Sequence, residues 1–243
     1  MRILMIIPAY NEEKSIVNTI NMIKNTKLKN HTLDYIIIND GSKDNTKQVC
    51  IDNSFNYIDL PNNLGIGGAV QTGYKYASYN DYDIAIQFDG DGQHDASYIQ
   101  NLVDEIIKGN DIVIGSRFVS NLSEFRSSAV RRVGINFLSR LIKLCTKKRI
   151  YDPTSGFRAC NRAVIDEFIS DYPIDYPEPD TIVRIIKKGY KVSEIPVKMN
   201  ERKEGKSSIN SNIFKPLYYM IKVSLAIIIT ALSTKKVGVK NAK

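Results

Sequence analysis

Four times in its first 95 residues the chain follows one course: a short apolar run breaks off in a turn of small, polar or acidic residues. Residues 3–7 close in Pro8-Ala9-Tyr10-Asn11-Glu12, and residues 35–38 in Asn39-Asp40-Gly41-Ser42. Residues 57–60 close in Pro61-Asn62-Asn63-Leu64-Gly65-Ile66-Gly67-Gly68. Ile84, Ala85, Ile86 and Phe88 run into Asp89-Gly90-Asp91-Gly92-Gln93-His94-Asp95. Apolar runs of this length bounded by turn residues read as buried strands. Helical patterns stand between them: Ile16, Ile20 and Ile23 share one face, residues 44–53 follow the second run and residues 69–77 the third. Residues 111–114 add one more strand. Strands alternating with helices predict an α/β fold with a mostly parallel, doubly wound sheet. Its polar and glycine-rich loops then share the carboxyl edge, where such sheets bind ligands.

The fourth loop carries the chemistry. Asp89 and Asp91 are two apart, so in extended geometry their side chains share a face. Gly90 and Gly92 let the backbone turn and leave room for a ligand. Two adjacent carboxylates repel unless a cation lies between them, and a hard divalent ion completed by phosphates resolves this. A solvated acidic turn is the alternative. The calcium loop that also begins D-x-D is excluded, because its Gly and Glu positions hold His94 and Gln100.

The glycines of the third loop fit neither known phosphate fingerprint. Val70 occupies the last glycine position of G-x-G-x-x-G, and Tyr74 stands where a P-loop needs lysine. Gly68, at the start of a helix, either packs against a nucleotide or serves a tight turn. A net charge of +8 among 243 residues favours an anionic partner. Three scattered cysteines, Cys50, Cys145 and Cys160, argue against a disulfide framework or zinc site and fit a reducing cytosol. The apolar stretch at the N-terminus is too short for a signal peptide.

Taken together the motifs resemble family 2 glycosyltransferases of GT-A fold: Pro8-Ala9-Tyr10-Asn11-Glu12, Asn39-Asp40-Gly41-Ser42, Asn63-Leu64-Gly65, Asp89-Gly90-Asp91 with Gln93-His94, and Gly115-Ser116-Arg117-Phe118 occur in the family's order. Asp152-Pro153-Thr154-Ser155-Gly156-Phe157-Arg158 and Arg202 with Gly205-Lys206-Ser207-Ser208 resemble the polyprenyl-phosphate (dolichol-phosphate mannose synthase-like) branch. The likeness covers roughly the first 210 residues. It implies a catalytic domain at 1–210 and a membrane-associating or partner-docking helix with a basic tail at 211–243.

The resemblance implies roles. Pro8, Tyr10, Glu12, Asp40 and Gly68 would hold the nucleotide of a UDP- or GDP-linked sugar. Asp89, Asp91 and Gln93 would bind Mg²⁺ or Mn²⁺ on its diphosphate. Arg117, Arg131 and Arg202 would contact donor or acceptor phosphates, and His94 would fix the loop. Transfer would invert the anomeric centre in one in-line displacement.

Residues 126–149 alternate basic residues (Arg126, Arg131, Arg132, Arg140, Lys143, Lys147, Lys148, Arg149) with apolar ones, as in a basic amphipathic helix or helix pair on an anionic membrane surface. Nucleic acid is not expected, because base-reading chemistry is missing. Residues 213–232 form an apolar run broken by Lys215 and Lys222, and the stretch after Lys222 is about half the ~20 residues a spanning helix needs. An interfacial or subunit-docking helix fits better, with room for a small membrane protein subunit. The expected location is peripheral, on the cytoplasmic face of the cell membrane.

A polyprenyl phosphate acceptor is already an anion and needs no base, whereas a sugar hydroxyl needs one. Tyr176-Pro177-Glu178-Pro179-Asp180 offers Glu178 and Asp180 as bases, or else a stiff loop with Asp180 as N-cap of a helix over 181–188. The preferred acceptor is the lipid phosphate, with a cell-surface glycan hydroxyl as the alternative. A sugar nucleotidyltransferase and a silent nucleotide-sugar scaffold are more distant readings. The first lacks its glycine-rich basic loop after strand one, and intact Asp89, Asp91 and Arg117 oppose the second.

Overall fold

The computed structural model describes residues 1–119, 129–200 and 214–234. In chain order its elements are β1 (Arg2–Ala9), α1 (Ile16–Lys24), β2 (Thr32–Asn39), α2 (Thr46–Asp52), β3 (Tyr57–Asp59), α3 (Gly65–Tyr79), β4 (Ile84–Gln87), α4 (Ile99–Ile107), β5 (Ile112–Ser116), α5 (Ala129–Thr146), β6 (Arg158–Asn161), α6 (Arg162–Ser170), α7 (Pro177–Lys188), β7 (Val192–Pro196) and α8 (Phe214–Ser233). The strands form one sheet in the order β3-β2-β1-β4-β6-β5-β7. Every pairing is parallel except those of β6, which runs against both β4 and β5.

Helices cover both faces, so the inner strands read as unbroken apolar runs. Along β1, Ile3, Met5 and Ile7 pack with α1, α2 and α4, while Leu4 and Ile6 face α3, α6, α7 and α8. This is the two-residue period of a strand buried on both sides. The expected α/β doubly wound sheet of GT-A type is present. Because β6 is reversed, the loop before it, residues 151–157, lies on the same edge as the loops that follow the parallel strands. The register Gln87↔Arg158 shows this directly.

Several boundaries differ from the sequence reading. The third helix begins at Gly65, not residue 69. Its poor helix formers are retained because of close packing: a Cβ on Gly67 would lie 2.1 Å from the Pro173 carbonyl oxygen. The helix expected over 181–188 begins at Pro177, with Tyr176 as N-cap, so Asp180 is not the cap. Proline is tolerated in a first turn because those amides have no intrahelical acceptor. The basic segment forms one helix, α5, that ends at Thr146, leaving Lys147, Lys148 and Arg149 beyond it; Arg126 lies outside the described residues.

Helix α8 has two apolar sides. Val223, Ile227 and Ala231 are buried in the core beside α5 and α7. Tyr218, Ile221, Leu225, Ile228, Ile229 and Leu232 form an exposed stripe. Val133, Phe137 and Leu144 of α5 are exposed too. Among the described residues no helix is long and apolar enough to cross a membrane.

Candidate active site

The site is built along the carboxyl edge, one strand end at a time. After β1, Asn11 turns through φ 59°; its amide donates to Ser42 Oγ at 3.0 Å and its side-chain oxygen accepts from Lys43 at 2.8 Å. The Glu12 amide donates to Thr46 Oγ1 at 2.8 Å, and its carboxylate accepts from Ser15. Pro8 is buried and Tyr10 is exposed. After β2, the Asp40 carboxylate accepts the Leu64 amide at 2.7 Å. Burial raises its pKa, and the Leu64 and Gly65 amides partly restore it. The loops after β1, β2 and β3 are thus tied into one pocket wall. Gly68 stacks within its own turn, where a Cβ would lie 2.4 Å from Leu64 Cβ.

The Asp89-Gly90-Asp91 loop abuts that wall: a Cβ on Gly90 would lie 3.1 Å from the Pro8 carbonyl oxygen. Asp91 Oδ1 accepts the Gln93 amide at 3.0 Å, and the Gln93 carbonyl accepts from Asn200 at 2.8 Å. His94 is buried between Phe88 and Phe157, and its Nδ1 accepts the Asp89 amide at 3.0 Å. Burial depresses its pKa to about 4, so the ring is neutral and fixes the loop. Gly156 leaves the other flank of Asp89 clear. A Cβ there would sit 3.0 and 3.1 Å from the two carboxylate oxygens and 2.9 Å from Gln87 Nε2. Two carboxylates on a glycine-lined edge suit a hard divalent ion that takes its remaining ligands from phosphates and water.

Arg117, at the end of β5, is almost fully buried. Its Nε and Nη2 donate to the two Asp152 carboxylate oxygens at 2.7 Å each, and Nη2 also donates to Thr154 Oγ1 at 3.0 Å. Asp152 further accepts the Arg117 amide at 3.0 Å, and its own amide donates to Glu194 at 2.8 Å. Burial works against the guanidinium charge, but Asp152 outweighs it and raises the pKa. Arg131, in the first turn of α5, is pulled below its usual value by partial burial and by the Arg117 charge.

Glu178 and Asp180, two apart on α7, point to different neighbours. Glu178 lies beside Gln87 and within electrostatic reach of Asp89; burial raises its pKa, and the Arg158 charge opposes this. Arg158 itself is fully buried, donating to the Ser155 carbonyl at 2.7 Å and to Thr181 Oγ1 at 3.0 Å. It braces the Asp152–Gly156 loop against α7. Asp180 turns instead to Arg184, 3.6 Å away, and to Thr230 of α8; burial raises its pKa as well. Tyr219 of α8 stands within electrostatic reach of Glu178, Arg131 and Arg117. The structure therefore brings together Asp89, Arg117, Arg131, Glu178 and Tyr219, and leaves Asp180 outside the group. Arg202 and the 205–208 motif lie outside the described residues.

Residues 5–169 match the family model described as Glycosyl transferase family 2. The chain belongs to that family. It is 34% identical over 218 residues to the UDP-N-acetylglucosamine--dolichyl-phosphate N-acetylglucosaminyltransferase of Methanococcus voltae, covering 81% of this chain and 84% of the relative. It is 27% identical over 232 residues to the polyprenol monophosphomannose synthase of Mycolicibacterium smegmatis, covering 89% and 84%. Among solved structures it is similar to glucosyl-3-phosphoglycerate synthase from Mycobacterium tuberculosis in complex with Mn²⁺, UDP and phosphoglyceric acid. That likeness has a TM-score of 0.69 at 16% identity, over 98% of this chain and 80% of the other, and it bears on fold alone. The resemblance to the polyprenyl-phosphate branch of family 2 glycosyltransferases is borne out. The dividing point near residue 210 falls outside the described residues.

Tyr219 of the site escaped the sequence reading, as did Tyr176, whose ring meets it edge-on. Tyr219 looked like one more apolar position in the C-terminal run, and Tyr176 like part of a loop. Nothing in residue type or spacing marks either.

Proposed function

We propose that this glycosyltransferase moves a sugar from a UDP- or GDP-linked donor to a polyprenyl phosphate, with inversion, while resting on the cytoplasmic face of the membrane. The observation that carries the proposal is the pairing of two features. Arg117 and Arg131, like charges within reach of one another, stand beside α8, whose far side is the exposed apolar stripe. Guanidinium groups suit phosphate recognition, and an apolar helix face beside them suits a lipid-borne anion. The names of the Methanococcus and Mycolicibacterium relatives support the same acceptor class.

In this reading the wall formed by Pro8, Tyr10, Glu12, Asp40 and Gly68 holds the nucleotide, and Asp89 and Asp91, with Gln93, hold Mg²⁺ or Mn²⁺. The ion, when bound, stabilises charge developing on the leaving diphosphate. The chain's own work is positioning. Arg117 is aimed by Asp152, Arg131 and Arg202 meet the acceptor phosphate, and the phosphate oxygen attacks in line without losing a proton.

A second reading has its own observation. Glu178, with its raised pKa and its place beside Asp89, is suited to take a proton from a glycan hydroxyl. Assaying a panel of nucleotide sugars with polyprenyl phosphate or oligosaccharide, in parent and variants, separates the two. For a lipid phosphate, Glu178→Gln and Asp180→Asn should each retain substantial turnover, while Arg131→Gln raises the apparent KM for lipid. A fall in kcat of roughly 10²–10⁴ in Glu178→Gln, with donor affinity intact, would transfer the assignment to a hydroxyl acceptor.

Docking makes its own prediction. Leu225 and Ile229 are exposed, so Leu225→Ser with Ile229→Ser should leave the melting temperature nearly unchanged. Each apolar side chain withdrawn from lipid forfeits about 1.5–3 kcal/mol of burial. Sedimentation with anionic vesicles should therefore drop at least tenfold. Equal pelleting of parent and variant would remove α8 from the docking surface.

A further inference from the structure

We infer that Tyr219, on the helix that the sequence marks only as an anchor, is a positioning residue of the active site: through Tyr176 it holds the start of α7, and with it Glu178, against the Asp89 end of the sheet. The placement of α7 stands for either acceptor; its catalytic consequence rests on the reading in which Glu178 takes a proton from a glycan hydroxyl.

Helix α7 starts in an unusual way. Its N-cap, Tyr176, sits in the left-handed region at φ 50°, ψ 57°, and its side chain caps no amide. A residue with a β-carbon keeps that conformation only where its surroundings over-determine it. Here the surroundings are two grips on three consecutive residues. From α3, the Gly67 amide donates to the Ile174 carbonyl at 3.1 Å, with the chain pressed so close that no side chain fits at 67. From α8, Lys222 Nζ binds Asp175 at 2.5 Å, and the Tyr219 ring meets the Tyr176 ring edge-on, centroids 4.4 Å apart and planes at 81°.

Glu178 follows two residues later. Arg158 holds the first turn of α7 from below, reaching the Glu178 carbonyl at 3.4 Å and Thr181 Oγ1 at 3.0 Å. The ring of Tyr219 is the matching contact from α8, and it fixes the direction in which the helix leaves the loop. The same side chain lies within electrostatic reach of Arg117 and Arg131, so the phosphate-facing cations and Glu178 are set relative to one another across it. α8 is in turn seated on α5, the helix that carries Arg131, where Met220 Sδ is 3.3 Å from the place a Gly134 side chain would take.

The test uses Tyr219→Leu, which keeps apolar volume and so the fold, and Tyr219→Phe, which keeps the ring. Two measurements are made on the full chain: amide hydrogen exchange without substrate, and steady-state kinetics with whichever nucleotide sugar the panel identifies. Tyr219→Leu should speed exchange in the first two turns of α7 at least tenfold without changing β1 or β4. Where Glu178 takes a proton from a glycan hydroxyl, the variant should lower kcat at least tenfold with the donor KM within threefold; with a lipid phosphate, which needs no base, kcat should hold and the exchange measurement decides. Tyr219→Phe should restore both to within about threefold of the parent. Unchanged exchange in α7 in Tyr219→Leu would overturn the inference. A Tyr219→Phe variant as impaired as Tyr219→Leu would also overturn it, by assigning the effect to the hydroxyl. Because exchange needs no acceptor, it decides the matter even if neither lipid phosphate nor glycan turns over, an outcome that would count against the proposed function instead.

Discussion

Replacing Asp91 with asparagine is expected to abolish transfer while leaving the fold intact. Asp91 Oδ1 accepts the Gln93 amide at 3.0 Å, and an asparagine side-chain oxygen can accept the same bond, so the turn should survive. What is lost is one of the two charges offered to the divalent ion. If that withdraws roughly 4 kcal/mol of stabilisation from the developing diphosphate, turnover falls about 10³-fold. The melting temperature should stay within about 2 °C of the parent. Titration calorimetry of the nucleoside diphosphate should show a Mn²⁺-dependent increment in the parent that Asp91→Asn lacks. EDTA should silence the parent, and Mg²⁺ or Mn²⁺ should revive it. Full turnover in EDTA would sink the metal assignment.

The second large effect is on stability. Asp152 is fully buried and accepts three hydrogen bonds from Arg117, two from the guanidinium and one from the amide. Asp152→Ala strands a buried guanidinium. Removing one partner of such a pair costs about 3–5 kcal/mol, because the remaining charge stays desolvated. For a chain of this size that corresponds to a loss on the order of 10 °C in melting temperature. Pairing Asp152→Leu with Arg117→Met removes both charges and should recover much of the stability, but not the activity, since the Arg117 guanidinium is then missing from the phosphate-facing group. An Asp152→Ala variant that melts within 2 °C of the parent would show the pair to be dispensable for the fold.

The legibility of the chain followed its physics. Strands buried on both faces, such as residues 3–7, announce themselves by composition, and so did the loops that end them. β6 did not. Its four residues include a fully buried arginine, and its reversed direction puts the Asp152–Gly156 loop ahead of the strand rather than after it. α4, with Ile99, Leu102, Val103 and Ile106 on one face, carried a plain helical period that went unread. Pro177 and Pro179 suggested a stiff loop because proline breaks helices, yet in a first turn it interrupts nothing. Within the site, the aspartates and arginines were visible by type. That Glu178 faces Asp89 and Asp180 does not is a matter of helical phase, which depends on a start point that the left-handed Tyr176 sets.

The two-sided character of α8 has a consequence for how this sequence can drift. Val223, Ile227 and Ala231 fit a packed interior, where a single added or missing methylene is felt. Tyr218, Ile221, Leu225 and Ile229 answer, in this reading, only to oiliness, since a fluid hydrocarbon phase has no fixed shape to match. Substitution along the helix should therefore run at two speeds. Leucine, isoleucine, valine and phenylalanine should exchange freely on the outer positions, while the inner ones keep their volumes and Tyr219, between the two populations, keeps its ring.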